Sequence, residues 1–155
     1  QYQNAVHRSF PGIKRYWGSA IQQAKSLGYA STLAGRTFMT PERFFVGDDA
    51  WSTESSAINF PIQGSGADMK ELAIAEMHRA FPDFLFAFDL HDGLFYFVPE
   101  GTPMSRLHEA KAFLDNLDYE KHWGYKPSVP MIWDGEFGPD WGHMTSLNDA
   151  EQEFL

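Results

Sequence analysis

The sequence predicts a protein of the α+β class, in which a small antiparallel sheet is backed by helices. Apolar residues recur at three- and four-residue spacing in residues 1–28, 66–81 and 104–117, a pattern typical of amphipathic helices. Residues 84–98 instead form two short apolar runs with the period of strands, joined by a tight turn. The candidate strands lie late in the chain and close together. We therefore expect one antiparallel sheet, to which this chain contributes about three strands.

The composition is that of a single folded domain. The chain has 155 residues, and its aromatic content of 16% is sufficient for an apolar core. It has no cysteine, which excludes disulfides, zinc–thiolate sites and thiol catalysis. No apolar run reaches the length of a membrane-spanning helix, and the first residues lack a signal-peptide pattern. We therefore expect a soluble intracellular protein.

Charge is distributed unevenly along the chain. The formal net charge is −9, but residues 1–43 contain six basic residues against one acid, whereas residues 44–155 contain six against 20 acids. This asymmetry indicates that one segment meets phosphate groups while the other binds metal or faces water. The alternative is that the basic residues only form the solvated side of a helix.

The first half of the chain is expected to be mainly helical. Pro11-Gly12 should break the first helical segment, and Gly28 should end it. Residues 29–45 predict a small irregular hairpin or a loop, and a short helix should follow over residues 47–57.

A second break is expected at residues 61–66, just before a helix over residues 66–81. Proline and glycine interrupt the helical pattern there. Ser65 followed by Asp68 resembles a capping box, the arrangement that begins a helix. Pro82 should end the helix over residues 66–81.

The second half of the chain begins with the hairpin over residues 84–98. It should turn at Asp92-Gly93, a dipeptide favoured in tight hairpins because both turn positions need a positive φ. We expect the aromatic residues of the hairpin to lie in the core. A further helix over residues 104–117, a strand over residues 129–133 and an irregular segment over residues 138–155 complete the chain.

The hairpin turn is the main candidate site. Asp92 and His91 would lie at the rim of a stiff apolar hairpin, where a ligand of a divalent metal ion is held firmly. Asp89 is a candidate for a supporting role, although a solvated strand face explains it better. The alternative for His91 and Asp92 is a plain turn without function, since turns favour such residues for conformational reasons.

Three motifs occur in an order and spacing that resemble a known family. They are the glycine–tyrosine, threonine–leucine, glycine–arginine run over residues 28–36, the alanine-x-asparagine-x-proline-x-glutamine-glycine run over residues 57–68, and the histidine–aspartate pair at residues 91–92. Residues 135–141 also resemble the family's C-terminal strand and its tryptophan. Over about residues 1–143 the chain resembles the C-terminal part of a family A DNA polymerase, the group of bacterial DNA polymerase I and its phage relatives.

The resemblance implies a division into fingers and palm. Residues 1–60 would be the distal fingers, residues 61–143 the second half of the palm, and residues 144–155 an acidic tail. The other catalytic aspartate and the nucleotide-binding finger helix are not in this chain. The implied partners are therefore primer–template DNA, deoxynucleoside triphosphates and an N-terminal polymerase polypeptide, in the cytoplasm of a bacterial or phage-infected cell. We expect polymerisation only with that polypeptide, as in a split or cleaved polymerase.

The resemblance also implies roles for five residues. Asp92 would be one of two catalytic aspartates that bind two magnesium ions, and His91 would lie beside the primer terminus. Gln63 and Asn59 would reach the minor-groove edge of the newest base pairs, where acceptors are shared among base pairs. Arg36 would lie near the template strand.

Each of the three DNA contacts has a structural alternative. In its alternative role, Asn59 caps or turns the chain before Pro61 and contacts no DNA. Gln63 in its alternative role forms a hydrogen bond at the start of a helix. The alternative for Arg36 is that it closes its own turn or pairs with Glu42.

The chain departs from the family pattern at three places. Gly93 stands where the family usually has a glutamate, Thr37-Phe38 where many members have a further basic residue, and Ser55 where an arginine is often found. Two other functions therefore stay open. One is a fragment of a single-subunit, phage-type RNA polymerase, and the other is a non-catalytic binding module derived from a palm.

Overall fold

The computed structural model describes the backbone of residues 2–149 and the side chains of residues 6–48 and 50–149. Within that range the protein is α+β, with helices and small antiparallel sheets, as predicted. It divides into two compact units between Asp68 and Met69. No helix in the described range is long and apolar enough to cross a membrane. Of the acidic tail predicted over residues 144–155, residues 150–155 lie outside the described residues.

The first unit begins with two helices that meet at a proline. Helix α1 spans Tyr2–Ser9 and helix α2 spans Pro11–Leu27, which confirms the predicted break. Proline suits the first turn of a helix, because its missing N–H would have no partner there. Gly28 ends α2 with a φ of 77°, a left-handed conformation that glycine adopts without strain.

Of the two forms predicted for residues 29–45, a small hairpin or a loop, the structure has the hairpin. Strand β1, Tyr29–Ser31, pairs antiparallel with strand β2, Thr37–Met39. Two short 3₁₀ turns, Glu42–Phe45 and Gly47–Asp49, lead from β2 to the next helix.

Helix α3 spans Ala50–Ala80 without a break, so the interruption predicted at residues 61–66 is wrong. Pro61 lies inside the helix and has no N–H to donate to the preceding turn. The carbonyl that Pro61 leaves without its helical donor is that of Ala57, and at the next carbonyl, that of Ile58, the Tyr16 hydroxyl of α2 donates a hydrogen bond at 2.8 Å. Tertiary packing thus supports a helix that the local sequence opposes.

The predicted capping box is also wrong, because Ser65 and Asp68 both lie inside α3. The Ser65 hydroxyl accepts a hydrogen bond from the Leu33 amide at 2.9 Å and donates one to the Pro61 carbonyl. Asp68 accepts a hydrogen bond from Arg36. These side chains therefore hold the β1–β2 hairpin against α3 instead of starting a helix. The core of the first unit is small and consists of Ala24, Phe45 and Ala57 with Ile21 beside them.

The second unit contains the predicted hairpin. Strand β3, Leu85–Leu90, pairs antiparallel with strand β4, Gly93–Phe97, with an irregular register between Phe86 and Phe88. Such a bulge breaks the strict alternation of faces. Phe88 is 42% exposed and Phe97 is 67% exposed, so the expectation that all of the hairpin aromatics lie in the core is wrong.

The predicted helix that follows the hairpin is confirmed, and a second one was missed. Helix α4 spans Met104–Asp115, and helix α5 spans Tyr119–Trp123. Asp118 caps α5 by accepting a hydrogen bond from the Lys121 amide at 2.9 Å, and Gly124 ends it in a left-handed conformation. Both signals, an N-cap aspartate and a C-terminal glycine, are visible in the sequence.

Residues 129–133 do not form the predicted strand. Pro130 has no amide for a ladder, and the Trp133 amide donates to Asp115 Oδ1 at 2.7 Å instead. The remaining strands are β5, Glu136–Phe137, and β6, Thr145–Ser146, which pair antiparallel with each other. In the described part of the chain, the β3–β4 hairpin therefore stays two-stranded, and the expected three-stranded sheet does not form.

One core holds the second unit together. The segment predicted to be irregular, residues 138–155, contributes to it through the buried Leu147, which begins a 3₁₀ turn, Leu147–Asp149. The core cluster consists of Met77, Phe81, Phe84, Met104, Leu107, Ala110, Phe137 and Leu147. Because the hairpin residues Tyr96 and Val98 pack against this cluster, the base of the hairpin is fixed while its tip is exposed.

Candidate functional site

The turn of the β3–β4 hairpin is one residue away from where the sequence placed it. Leu90 pairs with Gly93, so the turn consists of His91 and Asp92, and Gly93 is the first residue of β4. The positive φ falls on His91, at 52°, and on no other non-glycine residue of the described range. The expectation of an Asp92-Gly93 turn is therefore wrong. The two predicted site residues instead form the turn together, and both are exposed.

A lysine from α3 reaches this turn. Lys70 forms an ion pair with the Asp89 carboxylate, and its ammonium also donates a hydrogen bond to the His91 carbonyl oxygen at 3.1 Å. The hydrogen bond and positive charge of Lys70 lower the pKa of Asp89 below its ordinary value. Asp89 is thus paired with Lys70, and its carboxylate is neither surrounded by solvent alone nor free to bind a metal ion. Sequence reasoning did not single out Lys70, since nothing in a helical pattern shows which strand a polar residue will meet.

The carboxylates of the described residues do not by themselves form a metal site. In the described range, no three side chains of histidine, cysteine, aspartate or glutamate converge in a way that could hold a metal ion. Asp92 is an exposed carboxylate, the ligand type that magnesium prefers, but Asp89 is engaged by Lys70. The donor set thus fits one ligand of a divalent ion and no more.

Gly93 allows an aromatic ring to lie close to the turn. A Cβ atom at Gly93 would lie 3.1 Å from Cε2 of Phe95. The Phe95 ring is stacked with Phe88 at 4.7 Å and with Trp141 at 4.4 Å between centroids. Position 93 therefore carries no side chain, and the ring of Phe95, part of an aromatic cluster, lies close to it.

In the first unit, Arg36 is bound on one edge by α3. Its Nε donates to Asp68 Oδ1 at 2.8 Å, and its Nη2 lies 2.7 Å from the same oxygen and donates to the Gly64 carbonyl at 3.0 Å. Half of the Arg36 side chain remains exposed, whereas that of Asp68 is 10% exposed. Arg36 pairs with Asp68, and the pairing with Glu42 considered from the sequence is not what the structure shows.

Asn59 and Gln63 lie on exposed positions of α3, one turn apart. Neither begins a helix, which removes the capping and helix-start alternatives for them. In the described range neither side-chain amide makes a hydrogen bond, so both remain available to a ligand. Arg36, Asn59 and Gln63 belong to the first unit, and His91 and Asp92 belong to the second.

The chain is similar to known DNA polymerases over most of its length. The model of the family "DNA polymerase family A" matches residues 1–143. The chain is 30% identical over 147 residues to the DNA polymerase I of Chloroflexus aurantiacus, which covers 89% of this chain and 14% of that protein. It is 30% identical over 148 residues to that of Streptococcus pneumoniae, covering 90% of this chain and 16% of that protein. A shorter match to the DNA polymerase I of Bacillus caldotenax is 40% identical over 74 residues, 45% of this chain and 8% of that protein.

These relatives are much longer than the chain, which spans 14% and 16% of the first two. The family match nevertheless covers all three sequence motifs and the exposed His91-Asp92 turn. The chain belongs to DNA polymerase family A.

Proposed function

We propose that this chain is the C-terminal part of a template-directed DNA polymerase, which adds deoxynucleotides to the 3′ end of a primer. The observation that carries the proposal is the family match over residues 1–143, with Asp92 at the exposed tip of a hairpin inside it. The relatives named DNA polymerase I are bacterial proteins, which supports the same reaction in the cytoplasm of a bacterial or phage-infected cell.

We assign residues 1–60 to the distal fingers, residues 61–143 to the second half of the palm, and residues 144–155 to an acidic tail. The chain spans about a seventh of its bacterial relatives, which supports a dependence on a further polymerase polypeptide. That polypeptide would carry the second catalytic aspartate and the helix that binds the incoming nucleotide. The other partners are primer–template DNA and deoxynucleoside triphosphates.

In this proposal, Asp92 and His91 act at the primer terminus. Asp92 would supply one ligand to magnesium ions whose other ligands lie outside this chain, and the ions would neutralise charge on the phosphate oxygens. His91 would lie against the terminal nucleotide of the primer. The exposure of both residues at the hairpin tip supports these roles, because a large substrate can approach them.

Three residues of the first unit would contact the DNA. Asn59 and Gln63 present unbonded amides on α3, as required for hydrogen bonds to the minor-groove edge of the newest base pairs. Arg36 would meet the template strand with the exposed part of its guanidinium, while Asp68 holds its other edge. An arginine fixed in this way loses little conformational freedom when it binds a phosphate.

The first test is primer extension by the native protein that contains this chain, with Asp92→Asn. We expect the variant to reduce kcat at least about a hundredfold, because the amide cannot replace a charged ligand. The matched control is Asp118→Asn, which changes an exposed aspartate of the same unit to a residue that caps a helix equally well. Parallel reactions with ribonucleotides separate a DNA polymerase from an RNA polymerase. Full extension by Asp92→Asn would contradict the proposal.

A second test addresses Gln63. We expect Gln63→Ala to slow extension from matched and mismatched primer ends unequally, since minor-groove contacts depend on the geometry of the terminal pair. Gln22→Ala is the control, because it removes another exposed amide from the same unit. Equal slowing at both kinds of end would remove the proposed role.

A non-catalytic binding module derived from a palm is the second candidate. Two observations favour it: in the described range the carboxylates do not converge into a metal site, and residue 93, next to Asp92, is a glycine. This candidate predicts that the protein binds DNA equally well with aspartate or asparagine at position 92, and that neither form extends a primer.

A further inference from the structure

Lys70 joins helix α3 to the tip of the β3–β4 hairpin. Its ammonium binds the Asp89 carboxylate on β3 and the His91 carbonyl in the turn, where the N–O distance is 3.1 Å. The Lys70 side chain is only 20% exposed, so the residues packed around it restrict its conformation. All of these residues belong to the second unit.

The residue that Lys70 holds has an unusual backbone. His91 has a φ of 52°, in the left-handed region that only a few per cent of non-glycine residues adopt. Such residues persist only where the surroundings fix them, and they cluster at functional sites. The carbonyl oxygen of this same residue, directly before Asp92, accepts the hydrogen bond that the Lys70 ammonium donates.

We propose that Lys70 is a positioning residue for Asp92: its ammonium holds the His91-Asp92 turn in the conformation that presents the Asp92 carboxylate. This inference rests on the proposed function for its catalytic meaning, whereas its structural part concerns the turn alone. Lys70 touches neither substrate nor metal in this proposal. It acts through the backbone of the turn and through Asp89.

The pairing with Asp89 has a second effect on the same site. Asp89 lies three residues before Asp92, and its carboxylate is neutralised by Lys70. Without the lysine, a free carboxylate would lie near the turn and compete for a divalent ion. A test must therefore separate the loss of turn geometry from the release of Asp89.

The test compares Lys70→Met, Lys70→Arg and the double variant Lys70→Met/Asp89→Asn in the native protein that contains this chain. The matched control is Lys111→Met, which removes another lysine–aspartate pair of the same unit, with side chains 19% and 18% exposed. Two quantities are measured. One is kcat for primer extension as a function of magnesium concentration, and the other is hydrogen exchange in the peptide over residues 85–97.

We expect Lys70→Met to lower kcat by about tenfold to a hundredfold, the range found when a group that orients a ligand is lost. Lys70→Arg should restore most of the rate, because the guanidinium can donate to both partners. The double variant should stay as slow as Lys70→Met. The hairpin peptide should exchange faster in Lys70→Met and unchanged in Lys111→Met.

Three results would overturn the proposal. Equal kinetic effects of Lys70→Met and Lys111→Met would show a general loss of stability. Recovery of activity in the double variant would show that Lys70 only masks Asp89. If the unchanged protein extends no primer, the proposed function fails, and hydrogen exchange alone then tests whether Lys70 positions the turn. Unaltered exchange of residues 85–97 in Lys70→Met would contradict that role, and faster exchange would support it.

Discussion

At the scale of single residues, the hairpin turn shows how a small shift changes the chemistry of a site. The dipeptide Asp-Gly is a strong turn signal, yet the turn formed at His91-Asp92. The shift places both predicted site residues at the exposed tip and leaves Gly93 inside a strand, where an aromatic ring lies against it. The turn also accepts a hydrogen bond from Lys70 of α3, a contact that no local sequence pattern shows.

Asp115 is the residue whose ionisation should affect stability most clearly. Burial alone would raise its pKa, but hydrogen bonds from the Lys111 ammonium and the Trp133 amide outweigh burial, and the pKa is lowered overall. An aspartate with a lower pKa in the folded state stabilises the fold above its unfolded pKa of about 3.9 and loses that contribution as the pH falls through its folded pKa.

We therefore expect Asp115→Asn to lower the melting temperature at pH 7, with a loss of about 1–3 kcal/mol. The difference from the unchanged protein should shrink as the pH falls below about 4. Thermal unfolding followed across this pH range measures it. Glu109→Gln, which removes a carboxylate that is 63% exposed from the same helix, should cause a smaller loss. A pH-independent difference for Asp115→Asn would contradict the assignment.

At the scale of elements, α3 has an interior that its local sequence opposes. It contains Pro61, Gly64 and Gly66, yet it is continuous, because α2 and the β1–β2 hairpin supply contacts to its surface. Gly64 has a specific reason to be small. A Cβ atom there would lie 2.6 Å from Cγ2 of the buried Thr32. The two glycines of this helix therefore differ in role, although the sequence presents them alike.

We expect Gly64→Ala to destabilise the first unit by about 1–3 kcal/mol, because the hairpin must move away from α3. Gly66→Ala is the matched control, since nothing lies within 4 Å of its added methyl group. It should stabilise the helix by about 0.8–1 kcal/mol through helix propensity. Hydrogen exchange of the α3 amides in both variants measures the two effects. Equal changes in exchange would show that the close contact with Thr32 is not needed.

At the scale of the whole molecule, the two ends of the sequence carry opposite charge: residues 1–43 are basic and residues 44–155 are acidic. The net charge of −9 would disfavour DNA, but the basic residues of the first 43 positions include exposed side chains on α2. Phosphate contacts by such residues release counterions, and their number sets the salt dependence of binding.

We expect Lys14→Ala combined with Arg15→Ala to weaken DNA binding. The slope of the logarithm of the association constant against the logarithm of the salt concentration should become less negative by about 1–2. Lys121→Ala combined with Lys126→Ala, which removes two exposed bases from the acidic second unit, is the control and should leave the slope unchanged. Titrations of primer–template DNA at several salt concentrations measure this slope. If both pairs changed it equally, the basic segment would have no special role in binding phosphate.

Local sequence patterns correctly predict the α+β class, the helix boundaries at Pro11 and Gly28, the β3–β4 hairpin, helix α4 and the family. These features depend on local periodicity, on residues with restricted φ, and on ordered motifs, all of which are written in neighbouring positions. Three features became clear only from the folded chain: α3 passes through Pro61, the hairpin turns at His91-Asp92, and residues 129–133 are not a strand. At each of these places a residue distant in sequence makes a hydrogen bond: Tyr16 to the Ile58 carbonyl of α3, Lys70 to the His91 carbonyl of the turn, and Asp115 to the Trp133 amide. A local pattern cannot contain such a partner, because long-range contacts are fixed only when the elements pack.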